Sequence, residues 1–303
     1  KKNIRDLIIE GENRLKQNGN AMAKEESILL LSYLLGRQKC ELYLNADRLV
    51  EEDIVEKFDQ WIGQRIKNTP IQYLTGFQNF MGLEFMVRRE VFIPRPETEI
   101  LVEKVIEIIE SSKDKDCFSI LDIGVGSGVI PVSILSHFKH GKKKITFYAV
   151  DISGQAIDLA RENARRFHCE EDIVFIEGDL FKPLKNCDES NLFDGIISNP
   201  PYLCEEEMLS LAPEICLYEP HEALDGGIQG LDYYRRIVNE SDKYLNDHGF
   251  LALEIGCQQK DAICSLIYSH AGYSEKIDAY RDYHQNDRVV IAYRNIGNQR
   301  KSV

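Results

Sequence analysis

From residue 119 onward, short apolar runs alternate with longer amphipathic stretches. The short runs are rich in β-branched and aromatic residues and predict strands, whereas the longer stretches carry apolar residues at helical spacing. Such alternation is typical of a doubly wound α/β sheet, in which helices cover both faces of mostly parallel strands. The predicted strands are 119–123, 145–150, 173–177, 193–198, 250–255, 276–280 and 288–293, and the predicted helices are 128–138, 154–167, 231–246 and 258–271.

The last two predicted strands have no helix between them. Parallel strands need a long crossover connection, so these two strands are expected to run antiparallel and to form a hairpin at the edge of the sheet. A dehydrogenase sheet would not end in this way. We therefore predict a Rossmann-like α/β sheet with an antiparallel C-terminal hairpin.

The N-terminal part follows a different pattern. Apolar residues recur near helical spacing over residues 3–67, and breaks such as Gly11 and Gly36 are expected to divide the region into several short helices. Aromatic residues and a turn at Gly82 then predict a β-hairpin. The predicted organisation is a small N-terminal α-helical domain (1–70), a β-hairpin linker (71–95) and a large α/β domain (96–303).

Charge and cysteine content limit the classes of partner. The chain has 303 residues and a formal net charge of −13, and the acidic excess lies beyond residue 72. Proteins that bind a phosphate backbone normally display a basic patch, so this balance favours a protein or small-molecule substrate over nucleic acid. The eight cysteines form no Cys-x-x-Cys pair, so no metal site is predicted. With no membrane span and no signal-peptide pattern, we expect a cytoplasmic protein with reduced thiols.

A glycine-rich turn follows the first predicted strand of the sheet. It consists of Gly124, Val125, Gly126, Ser127 and Gly128, and we call it the glycine loop. Glycines at a strand-to-helix turn allow tight backbone geometry and the close approach of a ligand. The spacing lacks the last glycine of the dinucleotide fingerprint, which disfavours NAD. A nucleoside without phosphate, such as S-adenosylmethionine, suits this shorter form.

Acidic residues follow the next two strands. Asp151 ends the second strand, where a carboxylate can accept hydrogen bonds from both hydroxyls of a ribose. Asp179 follows the third strand and can accept from an adenine amino group, while Leu180 can pack on the base. Each residue alone has a simpler interpretation, such as a helix cap for Asp151. Together with the glycine loop, at successive strand ends, they predict a cofactor site.

The fourth strand ends in Asn199, Pro200, Pro201 and Tyr202, which we call the tetrapeptide. Two prolines alone would indicate a rigid turn. In this position, however, the Asn199 side-chain oxygen and the Pro200 carbonyl can each accept one N–H of a planar NH2 group, while Tyr202 stacks on it. Because the lone pair of such a nitrogen is delocalised, orientation by two fixed acceptors favours its attack on a methyl group. We therefore predict that the tetrapeptide is both catalytic and substrate-binding.

The whole chain resembles the PrmC/HemK family of protein-glutamine N5-methyltransferases. The most specific match is residues 92–99, which include Phe92, Arg95 and Glu97; the other matches are residues 70–76, the glycine loop, Asp151, the tetrapeptide, residues 219–220, 223–224 and 281–283. The resemblance implies a class I methyltransferase fold, with S-adenosylmethionine bound by the glycine loop, Asp151, Leu180 and Asn199. It also implies that the substrate is the Gln of the Gly-Gly-Gln loop in class-1 peptide-chain release factors. The N-terminal helices resemble the family's partner-docking domain, and we expect the chain to act as a monomer.

Three alternatives stay open at this point. An N6-adenine methyltransferase of DNA or RNA uses the same tetrapeptide, but would normally bring a basic groove and a target-recognition segment. A non-enzymatic cofactor-binding adapter would be expected to lose Asn199 or the glycine loop, and both are intact. For Arg95 and Glu97, a surface ion pair competes with a role in shaping the glutamine pocket.

Overall fold

A computed structural model describes residues 2–185 and 192–295. Cys187 and the end of the predicted α/β domain, 296–303, lie outside the described residues. The chain divides into two compact units. The helical unit is Lys1–Phe77 with Ala212–Tyr218, and the sheet unit is Gln78–Leu211 with Glu219–Val303.

Secondary structure follows the predicted alternation, except that the helix predicted over 231–246 ends at Ser241 and the strand predicted to begin at residue 250 begins at Leu245. The helices are α1 (Ile4–Gln17), α2 (Ala23–Leu35), α3 (Lys39–Leu44), α4 (Glu52–Ile66), α5 (Ile71–Thr75), α6 (Thr98–Ser111), α7 (Val129–Phe138), α8 (Gly154–Arg166), α9 (Glu205–Leu209), α10 (Pro213–Tyr218), α11 (Asp232–Ser241) and α12 (Lys260–Tyr268). The strands are β1 (Phe77–Phe80), β2 (Leu83–Met86), β3 (Cys117–Ile123), β4 (Lys144–Asp151), β5 (Ile173–Glu177), β6 (Phe193–Ser198), β7 (Leu245–Glu254), β8 (Tyr273–Arg281) and β9 (Asp287–Arg294).

The helical unit has its own apolar core, formed by one face of each long helix. Gly11 was expected to break the first helix, and this expectation is wrong, because Gly11 lies inside α1. A Cβ at Gly11 would lie 2.8 Å from Cζ of Phe58 and well inside 3.0 Å of the Ser27 hydroxyl. The missing side chain therefore allows α1 to pack closely against α2 and α4, and this packing offsets the low helix propensity of glycine.

The short helix α10 belongs to the helical unit although it lies far along the chain. Arg65 on α4 makes two hydrogen bonds to Glu26, of 2.7 and 3.0 Å, and an ion pair of 2.9 Å with Glu214 on α10. The Tyr218 hydroxyl donates to the backbone oxygen of Lys67 at 2.9 Å. The mostly buried guanidinium of Arg65 therefore holds α10 against α4 through its ion pair with Glu214.

The region predicted as a hairpin linker (71–95) is a hairpin only over β1 and β2. Residues 71–75 instead form α5. Pro70 precedes this helix, and its fixed φ suits the entry to a first turn. Gly76 ends the helix in the left-handed region, with φ of 80°.

The sheet unit contains one sheet of seven strands in the order β5-β4-β3-β6-β7-β9-β8. The first five strands of this order pair in parallel, whereas β9 pairs antiparallel with both β7 and β8. The predicted fold, including the antiparallel C-terminal strands, is confirmed. Chain order reverses between β3 and β6, and open α/β sheets bind ligands beyond the carboxyl ends of the strands at such a point.

Candidate functional site

The glycine loop connects β3 to α7 in a conformation that side chains rarely adopt. Gly124, Gly126 and Gly128 have φ of 80°, 55° and 82°. A Cβ at Gly128 would lie 3.1 Å from the Cα of Ala160, so α8 packs directly against the loop backbone. The Gly124 amide donates to the Val150 carbonyl at 2.8 Å. The loop is therefore fixed to the end of β4 and opens toward the carboxyl ends of the strands.

Asp151 holds the loop from the end of β4. One carboxylate oxygen accepts the Gly126 amide at 2.9 Å, and the other accepts the Ser153 amide at the same distance. Burial raises the pKa of Asp151 and these backbone hydrogen bonds partly oppose the rise. Because each carboxylate oxygen has a second lone pair, the side chain retains capacity to accept hydroxyl groups of a ligand.

Asn163 on α8 supports the loop from the other side. Its fully buried side chain donates to the Ser127 carbonyl at 2.8 Å and to the Met86 carbonyl at 3.0 Å, and accepts the Met86 amide at 2.8 Å. A buried amide with all of these bonds satisfied fixes its neighbours in place. The hairpin and the glycine loop are thus joined through one side chain that the sequence analysis did not identify.

Asp179 and Leu180 follow β5, as predicted, but Asp179 is engaged by basic residues. Arg236 donates to both of its oxygens at 2.6 Å and Lys182 pairs with it at 2.8 Å. Burial raises the pKa of Asp179, but hydrogen bonds from Lys182 and Arg236 outweigh it, and the net pKa is lowered. Leu180 is buried with a left-handed φ of 50°. Leu180 therefore offers an apolar surface at this strand end, while the role of Asp179 stays a prediction.

Asp122 is a site residue that sequence analysis missed. It lies on β3 just before the glycine loop and is fully buried. Burial, and secondarily Asp151, raises the pKa of Asp122 to about 8. Neither carboxylate oxygen has a hydrogen-bond partner within the described ranges. Burial without a partner disfavours the ionised form of a carboxyl, and a nearby positive charge would favour it. The signal in the sequence is an acid inside an otherwise apolar strand.

The tetrapeptide leaves β6 next to the glycine loop, because β3 and β6 are neighbours in the sheet. Ser198 donates its hydroxyl to the Ile123 carbonyl at 2.7 Å, which joins the two strand ends. A Cβ on Gly124 would lie 3.9 Å from the backbone oxygen of Asn199. The structure thus brings together the glycine loop, Asp151 and the tetrapeptide at the ends of three adjacent strands.

Asn199 is held by a hydrogen bond through its side-chain amide. Its Nδ2 donates to the Thr98 hydroxyl at 3.2 Å, and the side chain lies close enough to Glu254 to help lower the pKa of that carboxyl. Thr98, the first residue of α6, also lies close enough to Glu254 to lower the pKa of that carboxyl. Sequence analysis placed no functional residue at the end of β7, where Glu254 lies.

The backbone of the tetrapeptide is clamped from both sides. Gln259 donates its side-chain amide to the Tyr202 carbonyl at 2.8 Å and to the Gly230 carbonyl at 3.2 Å, and accepts the Gly256 amide at 3.0 Å. At Gly226 a Cβ would lie 2.8 Å from the Tyr202 Cα, and at Gly230, with φ of 68°, a Cβ would overlap the Tyr202 carbonyl oxygen. Only glycine allows these segments to approach so closely.

The segment around Arg95 is tied to the sheet unit by a buried acid. Glu219, whose side chain is almost fully buried, accepts hydrogen bonds from the Ile93 amide at 3.2 Å and from the Arg95 guanidinium. Arg95 also lies over the Phe92 ring, 4.8 Å from its centroid. Because the Glu219 side chain is buried, the ion pair between Arg95 and Glu219 differs from the surface ion pair of the simpler interpretation.

Charges converge on Tyr202. Burial and the nearby Glu254 raise the pKa of Tyr202 to about 12, and Arg288 and Arg95 oppose the rise. Glu97 also lies close enough to contribute. The phenol therefore stays neutral near pH 7, as a group that stacks on a planar amide would.

Within residues 2–185 and 192–295, no cluster of three or more His, Cys, Asp or Glu is arranged to hold a metal. In these ranges no helix has the length and apolar character to span a membrane.

Comparisons with known proteins agree over nearly the whole chain. Residues 6–76 match the model of the PrmC N-terminal domain, and residues 98–225 match that of the methyltransferase small domain. A release factor glutamine methyltransferase of Clostridium acetobutylicum is 36% identical over 96% of this chain and 98% of its own length. One from Geobacter sulfurreducens is 36% identical over 95% of each chain. A methyltransferase from Pyrococcus furiosus covers 71% of this chain and 90% of its own, with a TM-score of 0.50 and 18% identity, which shows the fold alone.

Proposed function

The chain belongs to the release factor glutamine methyltransferase family, and from that premise we propose the reaction that its site performs. The enzyme transfers a methyl group from S-adenosylmethionine to the side-chain amide nitrogen (N5) of a glutamine. The glutamine is that of the Gly-Gly-Gln loop in class-1 peptide-chain release factors, so the reaction supports translation termination. The observation that carries the proposal is the position of the tetrapeptide, which is fixed beside the glycine loop by Asn199 and its neighbours.

The residues at the strand ends fit S-adenosylmethionine by their chemistry. Asp122 is a buried carboxyl whose oxygens have no hydrogen-bond partner in the part of the chain that the structure describes, and a cationic ligand would favour its ionised form. In our proposal the glycine loop holds the amino-acid end, Asp151 accepts the ribose hydroxyls and Leu180 packs on the adenine. Asp179 lies at the same strand end, where its oxygens would share their remaining capacity with the adenine amino group.

The tetrapeptide orients the substrate amide. The Asn199 side-chain oxygen and the Pro200 carbonyl each accept one N–H, and Tyr202 and Pro201 cover the plane of the amide. Holding both hydrogens favours a nitrogen whose lone pair faces the methyl group of the sulfonium. The N–C bond forms as the C–S bond breaks, S-adenosylhomocysteine is released, and one of the two N–H protons leaves to give the neutral methylated amide. As positive charge develops on the nitrogen, the two fixed acceptors stabilise it without reorganising. Proximity and orientation therefore contribute most of the catalysis.

The helical unit is proposed to dock the release factor. The whole chain is proposed to act as a monomer in the cytoplasm. Adenine in DNA or RNA is the less favoured substrate, because the net charge of −13 opposes binding of a phosphate backbone. The close relatives share both parts of the chain, including the N-terminal region.

The test is a transfer assay with labelled S-adenosylmethionine. The protein is incubated with a release factor, with the same factor carrying a changed Gln in its Gly-Gly-Gln loop, and with DNA or RNA. We expect label only on the release factor that keeps its natural Gln. Label on nucleic acid, or equal label on the altered factor, would contradict the proposal.

A further inference from the structure

Glu254 is a buried acid that the proposed mechanism does not yet use. It ends β7, whose Leu253 pairs with Ser198 on β6, so Glu254 lies beside Asn199. Its exposed fraction is 1%, and its Oε2 has no hydrogen-bond partner in residues 2–185 or 192–295. Burying a carboxylate costs free energy unless it is well paired, so its presence here calls for a function.

The contacts of Glu254 join it to the predicted catalytic amide. The strand register sets Glu254 beside Asn199, and the side chains of Asn199 and Thr98 both lie close enough to the Glu254 carboxyl to lower its pKa. Asn199 Nδ2 also donates to the Thr98 hydroxyl at 3.2 Å. The hydroxyl of Thr98 therefore accepts from Asn199 and is free to donate to Glu254, which closes a network of three buried or half-buried side chains.

This network selects one orientation of the Asn199 amide. An asparagine side chain can rotate by half a turn and exchange its oxygen for its NH2 group. An ionised carboxylate only accepts, so Glu254 favours the orientation in which NH2 faces it. The Asn199 oxygen then faces away from Glu254, toward a donor on the ligand. A protonated Glu254 could donate instead, which would favour the reversed amide.

We propose that Glu254 is a positioning residue that, in its ionised form, holds Asn199 with its oxygen directed at the substrate amide. The inference rests on the proposed function and adds the residue that sets the catalytic asparagine. In the reversed amide, NH2 would meet the substrate N–H groups and the acceptor would be lost. Protonation of Glu254 therefore switches the site off without unfolding it.

The surroundings of Glu254 place its ionisation in the neutral range. Burial raises the pKa of Glu254 to about 7, the hydroxyl of Thr98 and the charge of Arg288 oppose the rise, and Glu97 adds to it. Arg288 is itself paired with Asp282 at 2.9 Å, and the hydroxyls of Tyr202 and Tyr234 complete the groups around the carboxylate. The active, ionised form is thus complete above this pH and is lost as the pH falls through it.

The test is the dependence of kcat on pH, from 5.5 to 9, for the full-length protein with saturating S-adenosylmethionine and release factor. For the wild type we expect kcat to fall below pH about 7. Glu254→Gln has no ionisable group there, so this acid limb should disappear. A hydrogen bond to a charged group is worth about 1.5–3 kcal/mol, so kcat at pH 8 should drop about 10- to 100-fold. The Kd of S-adenosylhomocysteine and the KM for the release factor should stay within about twofold.

A matched pair at Thr98 tests the same network if Glu254→Gln folds poorly. Thr98→Ser keeps the hydroxyl and should retain kcat within about threefold, whereas the isosteric Thr98→Val should lose about tenfold. Tyr234→Phe is a stability control, because a phenol has one hydrogen to donate and Tyr234 donates it to the backbone oxygen of Glu254, at 2.8 Å. It should lower the melting temperature and leave the acid limb in place.

The outcomes separate the inference from the function on which it rests. If Glu254→Gln keeps the wild-type kcat and acid limb, or if Thr98→Val and Thr98→Ser behave alike, the inference is wrong while the proposed function stands. If the wild type transfers no methyl group to the release factor, the proposed function is wrong and the inference falls with it.

Discussion

Replacing Gly230 with alanine should move the tetrapeptide while leaving every predicted catalytic side chain chemically unchanged. Gly230 has a φ of 68°, where an L-residue is strained by about 1–2 kcal/mol. The added Cβ would lie well inside 3.0 Å of the Tyr202 carbonyl oxygen, and the second-nearest atom is the Gln259 amide nitrogen. A flexible side chain could yield, but a backbone carbonyl clamped by a hydrogen bond of 2.8 Å has little room.

The overlap predicts a displacement and a loss of rate. Relief of the overlap requires a movement of about 1 Å at Tyr202, and a misplacement of that size costs about 100-fold in kcat. The glycine loop and Asp151 are on other strands, so the Kd of S-adenosylhomocysteine should change by less than about threefold. The assays are steady-state methylation of a release factor and calorimetric titration of the product nucleoside.

Gly63→Ala is a matched control in the helical unit. Gly63 lies inside α4 and a Cβ there meets no atom within 4 Å. Because alanine is favoured over glycine in helices by about 1 kcal/mol, this variant should raise stability and keep full activity. A Gly230→Ala protein with wild-type kcat would refute the argument that the backbone of Tyr202 is held in one position.

Three further predictions follow from single contacts. Asn199→Ala should abolish turnover, measured by transfer of labelled methyl, while nucleoside binding weakens only partly; undiminished turnover would refute its assigned role. Asp151→Ala should raise the Kd of S-adenosylhomocysteine about 100-fold, because the variant loses the hydrogen bond from the Gly126 amide and the proposed acceptors for the ribose hydroxyls. Each hydrogen bond to a charged group is worth ~1.5–3 kcal/mol. A Kd within threefold of the wild type would contradict the proposed role of Asp151. Arg95→Ala should lower the free energy of unfolding in urea by about 3 kcal/mol, since it leaves Glu219 buried with one partner fewer; an unchanged midpoint would disprove the pairing.

Local patterns in the sequence predicted most of the fold. Strands β5 and β6 were predicted at their observed bounds, because β-branched runs end sharply at turns. The glycine loop and the tetrapeptide were recognisable because their chemistry lies within a few consecutive residues. The order of strands then brought them together, since carboxyl ends of parallel strands share one edge of a sheet.

Long-range contacts were beyond the reach of such patterns. Glu254 lies 55 positions after Asn199 and looks like an ordinary strand end until β6 and β7 are paired. Gln259 clamps Tyr202 from a similar distance along the chain. Gly11 was misread as a break, because only the packing of Ser27 and Phe58 against it reveals why glycine is needed inside a helix.

The central claim is that the methyl group goes to the side-chain nitrogen of one glutamine. Its most direct test is tandem mass spectrometry of a release factor after incubation with the enzyme and S-adenosylmethionine, with Asn199→Ala in parallel. We predict one added methyl group, located on the Gln of the Gly-Gly-Gln peptide and absent with the variant. A methyl group on another residue, or one that appears equally with Asn199→Ala, would contradict the account.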